Sequence, residues 1–189
     1  MRKRFYNPLF IFFVFVLFLS SLLLNPQVFA KQGDDVSAKE TKSSERDIVQ
    51  KKVRSKDGRF IDNGDGTITD TNTDLMWTKK DSYADLEKCL HWGDSNSYVK
   101  KLRTGGYSDW QMPSVDELKS IFDESKLNKG GAGGIVYIDP IFASGSGFMQ
   151  WSSETKGCCK ALLVPFDFGN PFDYLQGSCL GKGVRALRY

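Results

Sequence analysis

From Lys31 to Asp57 the chain holds no aromatic residue and carries charges of both signs throughout. Such a stretch buries too little apolar surface to offset the entropy of ordering it, and we read residues 31–57 as a flexible charged spacer. Folding is thereby confined to residues 58–189, which are rich in Trp, Phe and Tyr. That length suits one domain with one core, and no internal repeat divides it.

Ahead of the spacer, Arg2, Lys3 and Arg4 precede an apolar run from Leu9 to Leu19, followed by Ser20, Ser21 and the step Val28-Phe29-Ala30. A charged start, an apolar centre and a small-residue cleavage step are the parts of a signal peptide, expected over residues 1–30. Phe5 to Leu24 is nearly long enough to cross a hydrocarbon layer of about 30 Å as a helix. The serine interruption and the Val-x-Ala step favour cleavage over a retained anchor. Three basic residues would leave with the signal, so the 23 Lys and Arg that remain balance 23 Asp and Glu. A net charge of zero points neither to nucleic acid nor, after cleavage, to a membrane surface as partner. The expected location is outside the cytoplasmic membrane: periplasmic, cell-surface or secreted.

All four cysteines, Cys89, Cys158, Cys159 and Cys179, follow the signal, where an oxidising compartment permits disulfides. Adjacent Cα atoms lie about 3.8 Å apart, below the usual disulfide range of about 4.4–6.8 Å, so a Cys158–Cys159 bond reads as strained. The expectation is that one of that pair reaches Cys89 and the other Cys179. A zinc site would require paired ligand spacing such as C-x-x-C, which is absent.

The domain opens with Arg59 to Asp62 and Thr67 to Asp70, β-prone segments around the turn Asn63-Gly64-Asp65-Gly66, which predicts a hairpin. Leu75-Met76-Trp77 reads as a further strand. Asp94 is placed to cap a helix over Ser95 to Thr104, with Gly105 as its left-handed stop. Ser114 and Glu117 form an S-x-x-E capping box for a second helix ending near Ser125. Lys129 to Gly134 reads as a mobile loop. Four apolar runs follow, Phe148 to Ser153, Ala161 to Phe168, Phe172 to Leu175 and Val184 to Arg188; we expect antiparallel strands, Pro165 demoting its run to an edge or a bulge. Strands, two helices and strands again predict an α+β domain.

In order, the motifs DNGDGTITD (Asp62 to Asp70), NTDLMW (Asn72 to Trp77), GGYSDWQMPSVDEL (Gly105 to Leu118), WSSET (Trp151 to Thr155) and GVRALR (Gly183 to Arg188) resemble the Lcl C-terminal domain family. The DW-x-x-P-x-x-x-EL segment is the most specific part. The resemblance implies a C-type-lectin-like fold in secreted or surface bacterial proteins, with adhesion to glycans or glycosaminoglycans. The chain departs from the family at Asp74, where glycine is usual, and at Gln111-Met112, where Arg-Leu is usual. The calcium-sugar tripeptides of true C-type lectins are missing, so calcium-dependent sugar binding does not carry over.

Other constellations are better explained by structure. Asp62, Asn63, Asp65 and Asp70 suit turns and lack the glutamate and flanking helices of an EF-hand. His91, the single histidine, lies two residues from Cys89, which does not supply a nucleophile–base geometry. The glycine run does not end in Gly-Lys-Ser/Thr. No cofactor and no metal is expected. Trp77 and Trp110 sit inside motifs and are assigned to packing. Trp151 and Glu154, with the polar loop Asp167, Asn170, Asp173 and Tyr174, form the candidate sugar-binding surface, on the premise that an exposed indole stacks on a sugar ring. The leading expectation is an exported, non-catalytic binding module for a glycan or another surface polymer. One alternative is an enzyme related to the formylglycine-generating oxidases, whose R-L-P-T-E-x-E-W segment DWQMPSVDEL resembles and whose chemistry uses a reactive cysteine pair. The other is a structural, protein-binding subunit of a surface assembly.

Overall fold

The structure is a computed structural model that describes residues 52–189; the expected signal peptide and residues 31–51 of the expected spacer lie outside the described residues. It is a mixed α+β fold, mostly sheet, with three short helices. No helix among the described residues is long and apolar enough to cross a membrane.

The fold begins earlier than the composition suggests. Strand β1 (Val53–Arg54) pairs antiparallel with β2 (Phe60–Asp62), and buried Ser55 accepts the Phe60 N–H at Oγ, 2.9 Å. The charges of this segment face solvent while its backbone completes a sheet edge, so composition alone misplaced the boundary at residue 58. β2 and β3 (Thr67–Asp70) form the expected hairpin. In its turn Asp62 accepts from the Gly64 N–H and Asp65 from the N–H and hydroxyl of Thr67, so these carboxylates are turn-closing groups. Asp74, in the turn leading to β4 (Met76–Thr78), adopts φ 59°, the left-handed conformation that Asp tolerates in glycine's place.

Helix α1 (Ser82–Leu86), absent from the sequence reading, is capped by Asp81, whose side chain accepts from the Ala84 N–H at 2.8 Å. Helix α2 (Trp92–Lys101) starts three residues before the expected position, with His91 rather than Asp94 at its N-cap. Trp92 sets this start: its N–H donates to Gln176 O and its indole Nε1 to Ser152 O. Asp94 instead lies in the first turn, where the helix dipole favours an anion, and Lys100 and Lys101 occupy the last. Helix α3 (Val115–Ser120) has the full capping box of Ser114 and Glu117. It ends before Ser125 because the Asp123 N–H is diverted to Tyr137 O and its carboxylate closes a turn onto Ser125.

The glycine run is not a mobile loop. β5 (Asn128–Lys129) pairs with β6 (Ile135–Val136), the Gly131 N–H donates to Ser146 O at 2.7 Å, and a Cβ at Gly131 or Gly134 would collide with the ring of Tyr83 or Phe148. Glycine serves close approach here.

β7 (Met149–Lys156), β8 (Lys160–Pro165) and β9 (Phe172–Leu175) form an antiparallel meander, with β10 (Lys182–Gly183) parallel to β7 on its other side. β8 is therefore an inner strand, and Pro165 is accommodated as its last residue rather than by an edge. The bulge falls in β7, between Trp151 and Thr155. β11 (Leu187–Arg188) returns to β4 and completes a five-stranded sheet ordered β1-β2-β3-β4-β11. The main core packs Ile68, Trp77, Leu118, Phe142 and Leu187 together, and a second cluster gathers Val99, Trp110, Val184 and Ala186.

The cysteines pair differently from the expectation. Cys89 joins Cys179, Cα atoms 5.3 Å apart, and Cys158 joins Cys159. The reason is topological: Gly157 to Cys159 form the turn between β7 and β8, while the Leu90 N–H donates to Lys182 O and the Lys182 N–H to Cys179 O, bringing the other two segments together elsewhere.

Candidate functional site

The expected sugar surface is divided by the fold. Trp151 is 0% exposed: β7 turns its ring into a cluster with Ala161 and Leu163, and its Nε1 donates to Leu90 O at 3.0 Å. It is a core residue and offers no face to a sugar, because in an inner strand the side chain directed at the core is fixed by register. Glu154 reaches back to accept the Val115 N–H at 2.8 Å, adding a second acceptor to the first turn of α3. Asp173 is held between Lys156 (2.8 Å) and Lys160 (2.7 Å), whose ammonium groups keep its carboxyl at about 2. Tyr174 lies under the Lys182 ammonium, 4.2 Å from the ring centre. Asp167 and Asn170 are exposed in the β8–β9 connection.

A preformed cleft of about 400 Å³ lies instead at the DWQMPSVDEL segment. Three parts of the chain build it. Asn96 and Lys100, one helical turn apart on α2, form one wall. Gln111 to Ser114 form the opposite wall: the Gln111 N–H and C=O pair with Leu187, at 2.8 and 3.1 Å, locking its backbone and leaving its side chain exposed. The third part is the β7 bulge, where the Ser153 N–H donates to Pro113 O at 2.7 Å and carries Ser153 to the rim. Val99, Met112 and the edge of Trp110 give an apolar floor, and Tyr189 stands beside it, largely exposed.

The polar groups fall into two kinds. Glu117 is fully engaged: Oε2 accepts the N–H and hydroxyl of Ser114 at 2.7 and 2.9 Å, and Oε1 accepts the Tyr189 hydroxyl at 2.5 Å. That bond raises the Tyr189 pKa. The side chains of Asn96, Lys100, Gln111 and Ser153, by contrast, make no hydrogen bond or ion pair with the described residues. Two amides, an ammonium and a hydroxyl around an apolar floor offer hydrogen-bond donors and acceptors and one positive charge to whatever enters the cleft. Glu117, already committed, is the one side-chain carboxylate among the residues lining the cleft.

A larger cleft of about 480 Å³, lined by Thr78, Lys79, Lys80, Asp85, Tyr98 and Thr104, is less available. There Lys79 is tied to Asp62 at 2.6 Å and the Tyr98 hydroxyl to Asp85 at 3.0 Å.

Gln111 stands out in the sequence as a departure from the family pattern, whereas Asn96, Lys100, Ser153 and Tyr189 carry no mark of a site there. The i, i+4 spacing of Asn96 and Lys100 beside Tyr98 and Val99, with an exposed glutamine inside the most specific motif, was the available signal.

Fold and cleft together define a small disulfide-bearing α+β domain with a polar recess built on its signature motif. The chain belongs to the Lcl C-terminal domain family, whose model matches residues 66–186. No curated protein matches it.

Proposed function

We propose that this chain is an exported, non-catalytic binding module of C-type-lectin-like type that recognises a glycan or a related surface polymer in the cleft between α2 and the Gln111–Ser114 segment. The observation that carries this reading is the set of four unengaged polar side chains, Asn96, Lys100, Gln111 and Ser153, around the Val99, Met112 and Trp110 floor. Amides and hydroxyls at fixed positions bond vicinal hydroxyls, while the apolar floor takes the C–H face of the ring. Lys100 adds a preference for a sugar that bears a carboxylate or sulfate, an ammonium being the natural partner of either. Export is supported by the composition of residues 1–30 and by the Cys89–Cys179 bond, which suits an oxidising compartment.

The test is a broad glycan array probed with the purified mature chain and with an N96A/Q111A variant. The expected result is retention on a subset of glycans, weakened at least about tenfold in the variant, the loss of two hydrogen bonds being worth roughly 1.5 kcal/mol or more. An intact, folded chain retained by no glycan contradicts the reading.

A further inference from the structure

The two disulfides occupy opposite mechanical situations. Cys89–Cys179 closes a span of 90 residues between half-buried segments. Cys158–Cys159 encloses no intervening residue and sits at the tip of the β7–β8 hairpin, where every residue from Ser153 to Lys160 is exposed. A cross-link stabilises a fold mainly by restricting the unfolded chain, and more so for a longer loop; a bond between neighbours restricts almost nothing. The β7–β8 ladder holds the hairpin independently, with Lys156 facing Lys160 across the turn and Thr155 facing Ala161. Opening the tip bond therefore leaves both strands paired.

The tip is also cationic. Lys156 and Lys160 flank the two sulfurs and share a single counter-charge, Asp173, so one positive charge remains unbalanced beside the turn. A net positive neighbourhood favours thiolate and makes each cysteine a better leaving group in exchange.

We propose that the Cys158–Cys159 pair is a thiol-exchange site, opened by small aliphatic thiols while Cys89–Cys179 stays closed. An external thiolate attacks one of the two Sγ atoms; the Sγ–Sγ bond breaks, a mixed disulfide forms, and the other cysteine departs as a thiolate that takes a proton from water. A second external thiolate attacks the external sulfur of that mixed disulfide, releasing the first cysteine and one molecule of external disulfide. The balance is one protein disulfide and two thiols to one protein dithiol and one external disulfide. The adjacent cysteines compete with the second step, because the departed thiolate lies beside the mixed disulfide and recloses the bond.

The experiment uses the mature chain purified without reductant. It is exposed to graded glutathione, quenched by alkylation and digested after lysine, which isolates residues 157–160 as one peptide. Two alkylated cysteines are expected on that peptide at a glutathione concentration at least about tenfold below that which opens Cys89–Cys179, with the thermal midpoint unchanged. A C159S variant treated with oxidised glutathione should acquire one glutathione on Cys158, and a K156Q/K160Q variant, followed by the intact mass of the alkylated chain because both cleavage sites are lost, should open several-fold more slowly. Opening of Cys89–Cys179 first or at the same concentration overturns the proposal. So does a tip that stays closed throughout, or a thermal midpoint that falls as it opens.

Discussion

Arg185 is a cation 1% exposed in a domain of this size, and its surroundings explain why it is tolerated. Nη1 donates to the carbonyls of Thr78 and Lys79, both at 2.7 Å, Nη2 donates to the Ser146 hydroxyl at 2.8 Å, and the guanidinium lies over the Phe142 ring. One planar fork thus ties β4 to the segment before β7 and to the last turn of the chain. Arg185→Met should cost roughly 3 kcal/mol in urea denaturation, since it leaves buried acceptors without donors, and Arg185→Lys should recover less than half, lacking the fork. Asp70 is the acidic counterpart. Burial pushes its carboxyl up, but the Arg59 guanidinium (2.6 and 2.9 Å) and the Asn72 N–H outweigh it and hold its pKa below the ordinary value. A depressed folded-state pKa gives stability that is present above the unfolded value, near 3.8, and lost as pH falls through the folded one. Asp70→Asn should therefore be destabilised by about 2 kcal/mol at neutral pH, with the gap to the parent chain closing as urea midpoints are taken below about pH 3.8. Single residues were legible where the role is local, as with the turn carboxylates Asp62 and Asp65. Trp77 and Trp151 are indistinguishable by type, and only strand register decides that both are buried.

At the scale of elements, the segment that carries the family signature is held by caps rather than by length. Helix α3 has six residues, too few to be stable alone, and its first turn is satisfied by Ser114 Oγ, which accepts the Glu117 N–H, and by Glu154, which accepts the Val115 N–H. Ser114→Ala should destabilise the domain by about 1 kcal/mol and loosen the cleft wall, which amide hydrogen exchange at Val115 to Leu118 would register as faster exchange than in the parent. The capping box was legible because both partners lie within four residues. The glycine run was not, because its order depends on Tyr83 and Phe148, far away in sequence, and neither was α1, whose five residues show no apolar period. The candidate site shows the same division: the Gln111–Ser114 wall could be found from its motif, whereas Ser153 reaches the cleft only through a β-bulge that no local pattern announces.

For the whole molecule, the Cys89–Cys179 bond and the closing pair β4–β11 join chain segments far apart in sequence, so the domain is fastened late in the chain. Replacing both Cys89 and Cys179 by alanine should lower the calorimetric midpoint by roughly 10–15 °C, a loss of about 4 kcal/mol for a loop of that size. Pairing was misjudged from sequence because bond geometry was weighed without the hairpin that isolates Cys158 and Cys159 at its tip. The family and the α+β class were legible, since ordered motifs survive without knowledge of packing; the position of the site was not, since it is made by three separated segments. The claim that these segments form a saccharide cleft is tested most directly by titrating the isotopically labelled mature chain with an oligosaccharide retained on the array and following its amide spectrum. A saccharide seated in this cleft shifts the side-chain amides of Asn96 and Gln111 and the backbone amides of Lys100 and Ser153 together along one saturable curve. Shifts confined to the β8–β9 connection, or no shift with any saccharide, would contradict it.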